Sequence, residues 1–302
     1  MEFLAAPAMS RALGQSGLTV SGLAWGMWRF AGQDVATAQA LVEAALSSGI
    51  TLFDTADIYG CDTAGGFGSA EALLGDVFAA APELRSQMIL ASKGGIVLGT
   101  PYDSSASYIA SAIDVSLMRM KTDHINLWQV HRPDILTHPA ELAKSLQDAL
   151  QAGKIGAIGL SNVTIAQASA LMAYLDAPLA SHQPEFSPLC LDPISDGLLD
   201  QAMAHDIAVL AWSPLGGGRI ADPQTPRDVA VAAALDAVAL TQHVSRTAAA
   251  YSWIMAHPAR PIPIIGSQQP ARIAEAADAY KVKWTRADWY AVLVASREEP
   301  LP

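Results

Sequence analysis

Short apolar runs alternate with longer stretches of helical period along almost the whole chain, and this alternation restricts the architecture more than any single residue does. Runs of strand character lie at Leu23 to Gly26, Thr51 to Asp54, Met88 to Lys93, Ile125 to His131, Ile155 to Ser161, Ala180 to Gln183, Ala208 to Trp212 and Ile262 to Gly266. Helical patterns fill the intervals at Asp34 to Ser48, Ser69 to Ala80, Ser105 to Met120, Pro139 to Gln151, Ile165 to Leu175 and Gly197 to His205. Repeated βα units of this kind build an α/β fold, and eight of them predict a closed (β/α)8 TIM barrel. The interval before the last strand holds two patterns, Val229 to Gln242 and Arg246 to His257, so one helix is surplus. Pro270 to Ala279 and Arg286 to Ser296 supply extra C-terminal helices that wrap one barrel end, and Ser10 to Val20 reads as an N-terminal β-hairpin turning near Gly14 to Gly17. With no linker or low-complexity tract, residues 1–302 are expected to form one domain.

Composition removes several function classes. Half the residues are hydrophobic (51%) and only 16% are charged, which suits a large buried core. The net charge of −11 opposes nucleic-acid binding, which needs a basic face against phosphates. Cys61 and Cys190 are too few and too isolated for a disulfide framework, and no paired Cys/His spacing marks a metal site. A reducing, cytoplasmic setting fits. The N-terminal apolar stretch lacks the basic flank of a signal peptide, and no run is long enough to span a membrane. The remaining partner is a small molecule, bound by a monomer or weak homo-oligomer.

Candidate chemistry collects where strands finish. Asp54 and Tyr59 follow the second run, Lys93 ends the third and His131 the fourth. In parallel α/β folds the loops after strand ends face one opening, so these four side chains are expected to share a pocket. Together they offer a proton donor, a cation to ease its ionisation, a carboxylate to hold the cation and a polar group for a substrate oxygen. Taken singly, each also suits a structural role, and the Asp54 and Lys93 pair could simply tie two strands together.

The motifs Asp54-Thr-Ala-Asp-Ile-Tyr59, Ser92-Lys93-Gly-Gly, His131-Arg-Pro-Asp134, Gly159-Leu-Ser-Asn162, Gln183, Trp212-Ser-Pro-Leu-Gly-Gly-Gly218 and Ile265-Gly-Ser267 with Arg272 occur in order over nearly the whole chain. In this the sequence resembles the aldo-keto reductases, NAD(P)-dependent carbonyl reductases on a (β/α)8 barrel, in their bacterial general oxidoreductase branch. The resemblance implies that Asp54, Tyr59, Lys93 and His131 form a catalytic tetrad in which Tyr59 protonates the developing alkoxide. It implies that Ser161, Asn162 and Gln183 hold the nicotinamide carboxamide and that Trp212 stacks on the ring. Ser213, Pro214, Leu215, Gly216, Gly217 and Gly218 would approach the pyrophosphate through backbone N–H groups, with Arg219 a further candidate. Ile265, Gly266, Ser267, Gln268, Arg272 and Glu275 complete the cofactor set. Arg272 favours NADP(H), while Gly266 and Ala276 depart from the family pattern and leave NAD(H) open. Trp25, Met27 and Trp28 are expected to form an apolar wall of the substrate pocket, and the glycine-rich stretch Gly60 to Gly68 a mobile lid.

The implied activity is reduction of aldehydes or ketones to alcohols. Two other readings remain at this point: oxidation of a sugar or other alcohol with NAD(P), and a cofactor-binding regulatory subunit.

Overall fold

The computed structural model describes residues 2–297; Met1 and residues 298–302 of the expected domain lie outside them. The chain opens with the anticipated hairpin, β1 (Ser10–Ala12) antiparallel to β2 (Thr19–Ser21). Strands and helices then alternate: β3 (Ala24–Gly26), α1 (Val35–Ser47), β4 (Leu52–Asp54), α2 (Ser69–Ala80), β5 (Ile89–Gly94), α3 (Ala106–Arg119), β6 (Leu127–Val130) and α4 (Pro139–Gln151). The second half continues with β7 (Ile158–Ser161), α5 (Ile165–Met172), β8 (Leu179–Gln183), the short α6 (Asp192–Ser195), α7 (Leu198–Ala204), β9 (Ala208–Ala211), α8 (Pro226–Gln242), α9 (Arg246–Met255), β10 (Ile262–Ile265), α10 (Pro270–Glu275) and α11 (Arg286–Arg297). Because β10 pairs in parallel with both β9 and β3, the sheet closes and has no free edge.

Successive strand residues point to opposite faces, so each strand feeds two cores. Ala24, Leu52, Ala91, Leu127, Ala180, Ala208, Leu210, Ile262 and Ile264 pack together inside the barrel. Their neighbours Trp25, Phe53, Leu90, Trp128, Leu160, Val209 and Ile265 belong to the larger cluster outside it, under the helices. Leu13 and Val20 of the hairpin join the inner cluster, so the hairpin plugs the end of the barrel where the strands begin.

Local chemistry explains the element limits. Asp34, Ser105 and Thr164 cap α1, α3 and α5 by accepting from backbone N–H groups in the first turn. The surplus helix α8 starts at Pro226, three residues before the expected Val229, because Thr225 and Asp228 form a capping box and proline is compatible with a first helical turn. The 3-10 turn at Pro82–Gln87 and the short α6 carry no apolar period and have no counterpart in the expected elements, while the helix expected over Pro270 to Ala279 is α-helical only to Glu275 and continues as a 3-10 turn over Ala276–Lys281. The C-terminal helix α11 packs on α8, and Trp289 stacks on Trp253 of α9 at 4.7 Å with reciprocal indole N–H bonds of 3.0 Å to each other's carbonyl.

The hairpin turn depends on Gly14, whose φ is +54° and whose missing Cβ would sit 2.5 Å from the Ala180 carbonyl oxygen. Gly14→Ala should therefore lift the plug and lower stability by about 1–3 kcal/mol, as overpacking generally does. The check is the denaturant midpoint, with turnover at 25 °C expected to stay at the wild-type value because the site lies at the opposite barrel end.

Candidate active site

Strand alternation also decides which polar side chains face inward. Asp54 shares the inner face of β4 with Leu52, Lys93 that of β5 with Ala91, and Gln129 that of β6 with Leu127. Each therefore rises above an apolar layer, at the strand ends. Lys93 is fully buried, and its Nζ lies 2.7 Å from Asp54 Oδ2 and 2.8 Å from the Thr55 carbonyl oxygen. The other Asp54 oxygen accepts from Gln129 Nε2 at 3.1 Å and Gln183 Nε2 at 3.0 Å. Tyr59, on the loop after β4, places its ring centre 4.7 Å from the ammonium and 5.8 Å from that of His131. The four residues expected to share a pocket therefore meet.

Their electrostatics follow from burial and mutual charge. Desolvation works to lower the Lys93 pKa, but Asp54 and then Tyr59 outweigh it and the net shift is upward, so the ammonium stays charged. Burial raises the Tyr59 phenol pKa; Lys93 pulls it down and Asp54 adds to the rise. The easing expected from Lys93 is present but partial. His131 is held well below its usual range by burial first, then by Lys93 and Arg132, and is a neutral imidazole.

Asp54, Tyr59 and His131 form the floor of a cavity of about 920 Å³, with Lys93 buried behind them. Ser161, Asn162, Gln183 and Trp212 line it. Asn162, at φ +57°, donates to the His131 carbonyl and to Ser161 Oγ, and accepts from Trp212 Nε1 at 2.8 Å, which fixes the indole. Ser213, Pro214, Leu215, Gly217 and Gly218 continue the wall. The N–H groups of Gly216, Gly217 and Gly218 are used within the turn, by Ser213 O, Ser213 Oγ and Leu215 O. What this loop offers instead is open backbone: nothing lies within 4 Å of a Cβ built on Gly217 or Gly218. The far end of the cavity is lined by Ser245, Arg246, Thr247, Tyr251, Gly266, Ser267, Arg272 and Glu275. Arg246 is pinned to Asp236 by bonds of 2.8 and 2.5 Å, whereas Arg272 makes no ion pair with a described residue.

A second polar group lies on the outer side of the same strands. Ser92 donates to buried Glu71 at 2.6 Å, and Glu71 also pairs with Arg119 at 3.2 Å. Burial, followed by repulsion from Glu71, pushes the Asp57 carboxyl up to about 8, and its Oδ1 has no partner among the described residues.

The sequence profile described as the aldo/keto reductase family matches residues 22–293. The chain belongs to this family. It is an oxidoreductase whose chemistry is carbonyl reduction with a nicotinamide cofactor. Among its relatives, a Novosphingobium aromaticivorans protein named 6-dehydroglucose reductase is 60% identical over 304 residues, spanning all of both chains. An Agrobacterium fabrum protein of the same name is 36% identical over 286 residues, 90% of this chain and 93% of its own. The crystal structure of a thermostable aldo-keto reductase bound to the inhibitor epalrestat, 20% identical, superposes with a TM-score of 0.82 over 95% of this chain and 100% of its own, a likeness of fold.

For this aldo-keto reductase the expected aromatic wall needs correction. Trp25 and Met27 are fully buried and off the cavity; Trp25 points outward from β3, edge-on to Phe30 and Phe53, with its Nε1 bonded to the Ser267 carbonyl. Only Trp28 lines the cavity, half-exposed and edge-on to Tyr59 at 5.0 Å. Period two along β3 already assigns Ala24 inward and Trp25 outward. Four cofactor candidates also lie off the cavity lining. Gly216 packs on Leu189, Arg219 pairs with Asp228 at 3.2 Å, Ile265 is buried, and Gln268 donates to the Gly26 carbonyl. The glycine-rich stretch expected as a mobile lid is a chain of hydrogen-bonded turns closed by Thr63 and Ser69, with Phe67 under the Arg119 guanidinium. Gln129, Ser181, Arg132, Ser245, Arg246 and Thr247 were missed, although a Ser-Arg-Thr run at a helix start is a legible signal for an anion-facing terminus.

Asp57 generates a pH prediction. Its folded pKa stands above its ordinary value, so the folded state binds the extra proton, and stability is full below about pH 4 and declines as pH rises to about 8. Asp57→Asn should remove this slope, at most about 1.4 kcal/mol per pH unit. Denaturation curves between pH 4 and 9 test it; parallel profiles for variant and wild type would exclude a buried titrating Asp57.

Proposed function

We propose that this enzyme reduces a terminal aldehyde of a polyhydroxylated, sugar-like substrate to a primary alcohol, with NADPH as the preferred cofactor and Tyr59 as proton donor. The observation that carries the mechanism is the buried Lys93 ammonium, held by Asp54 and lying 4.7 Å from the centre of the Tyr59 ring, which itself lines the cavity. The substrate class is supported by the two relatives named 6-dehydroglucose reductase, one of them 60% identical over its full length.

The cavity suits a nicotinamide dinucleotide on its own chemistry. Gln183 Oε1 accepts no bond from a described residue and Asn162 Oδ1 retains a lone pair, so both can receive the N–H groups of a carboxamide. The fixed Trp212 indole offers a flat apolar face, and Arg272 with Ser267 offers donors to a 2′-phosphate at the far end. The bound cofactor supplies hydride to the carbonyl carbon. Tyr59 gives its proton to the carbonyl oxygen as negative charge builds there, and Lys93 stabilises the phenolate that remains. Neutral His131 donates a hydrogen bond to the same oxygen and orients it. Trp28 presents an exposed apolar face to the substrate's C–H surface beside Tyr59. We place the enzyme in a reducing, cytoplasmic setting as a monomer or weak homo-oligomer, in keeping with unpaired Cys61 and Cys190.

Loss of reduced-nicotinamide absorbance should be followed over 6-dehydroglucose, simple aldehydes and ketones. Tyr59→Phe is expected to lower kcat by at least about 100-fold while the NADPH Kd stays near wild type, the scale of a lost general acid. Wild-type turnover in that variant would overturn the role of Tyr59. Arg272→Ala should weaken NADPH about 10- to 100-fold, as for a lost bond to a charged group, and leave NADH little altered; equal losses for both cofactors would mean that Arg272 does not read the 2′-phosphate.

A further inference from the structure

Beneath the cavity floor Asp54 and Gln183 belong to a buried polar network whose other members, Gln129 and Ser181, have no part in the mechanism above. Gln129 is completely buried on the inner face of β6. Its Nε2 donates to Asp54 Oδ1 at 3.1 Å, and a carboxylate only accepts, so the amide has a single orientation. Its Oε1 then accepts from Ser181 Oγ at 3.3 Å and from Gln183 Nε2 at 3.4 Å. Gly159 makes the room: a Cβ there would fall 2.2 Å from Ser181 Oγ and 2.8 Å from Gln129 Cγ. Glycine within a buried strand marks such a close approach.

We infer that Gln129 is a positioning residue for the reaction, holding the Asp54 carboxylate that holds Lys93 and tethering Gln183 in the wall that faces the cofactor. The inference rests on the reading of Asp54, Lys93 and Tyr59 as the proton-donating unit. Asp54 lies at the meeting point of two demands. Its Oδ2 must stay against Lys93, and its Oδ1 is kept in place by the two amides alone. Lys93 donates to Asp54 and to Thr55 O, which leaves its third N–H for the side on which Tyr59 lies. A carboxylate free to rotate would carry the ammonium with it, away from the phenol. The same amide oxygen restrains Gln183, so the seat of the proton donor and the seat of the carboxamide are joined by one side chain.

The ionisable groups around this amide are Asp54 on β4, Lys93 on β5, and Tyr59, His131 and Arg132 on the loops above. On β7 the facing residue is Gly159, and on β8 they are Ser181 and Gln183, while His182 turns the other way to bond the Val163 carbonyl.

Two variants test the role in the intact enzyme. Gln129→Met keeps the length and burial but removes both polar ends; its melting temperature establishes that it folds. Its kcat should fall about 10-fold or more, the scale of a lost hydrogen bond to a charged group, with the aldehyde KM little changed. Gln129→Glu keeps both acceptor contacts and can donate to Asp54 only while protonated. Its kcat should approach wild type at pH 5 and fall as pH rises, a limb absent from wild type and from Gln129→Met, and one that a purely structural residue would not create. A Gln129→Met kcat equal to wild type, or a wild-type pH profile in Gln129→Glu, overturns the inference. Wild type measured on the same aldehydes keeps the two questions apart: if it turns over none, the functional reading fails by itself. In that case NADPH titration by tryptophan fluorescence decides about Gln129, with a weaker Kd in Gln129→Met expected through Gln183 and an unchanged Kd against the role.

Discussion

One ion pair inside the barrel sets the terms for everything above it. Taking a lysine and an aspartate out of water is costly, and their attraction repays this only when the remaining donors and acceptors are also matched. Here Lys93 is matched by Asp54 and the Thr55 carbonyl, and Asp54 by two buried amides. The surrounding strands have little freedom, because β4, β5, β6 and β8 each contribute one member. The result is a positive charge that persists in an apolar setting 4.7 Å from the centre of the Tyr59 ring.

The strand that carries Lys93 shows how the fold separates structure from chemistry. Consecutive residues Ser92 and Lys93 are both buried, and each is bound to a carboxylate, Glu71 outside the barrel and Asp54 inside it. The outer group, with Arg119 and Asp57, lies between strand and helix and fastens α2 and the turn-rich stretch that follows Tyr59. The inner group faces the cavity. Carboxylates are therefore bound on both faces of the strand, and its parity decides which of them faces the cavity. His131 completes the inner set in the opposite electrical state: crowded by Lys93 and Arg132 and cut off from water, it is neutral beside a charged lysine.

Much of this was legible beforehand because barrel strands are short and regular. The eight runs, the hairpin and the surplus helices follow from apolar period and turn residues, and the meeting of Asp54, Tyr59, Lys93 and His131 follows from their places at strand ends. The failures have equally local causes. Trp25, Met27 and Trp28 are close in sequence, yet Trp25 takes the outer face of β3, Met27 just past the strand is buried in the same outer core, and only Trp28 reaches the cavity. The glycines after Trp212 suggested exposed amides, but Ser213 at φ +51° folds that stretch into a turn that uses them. Arg246 and Arg272 look alike in sequence; Asp236 occupies one and not the other.

The amino-acid sequence by itself determined the barrel, its number of strands and the end at which chemistry collects, because those depend on periodicity and on which residues terminate each run. Only the tertiary structure decided the charge states of the site, the orientation of the Gln129 and Gln183 amides, the loss of Trp25 and Met27 to the core, and which arginine at the far end of the cavity has no ion pair among the described residues. Those properties depend on distances between residues far apart in the chain and on how completely water is removed from between them, and neither quantity is written in local pattern.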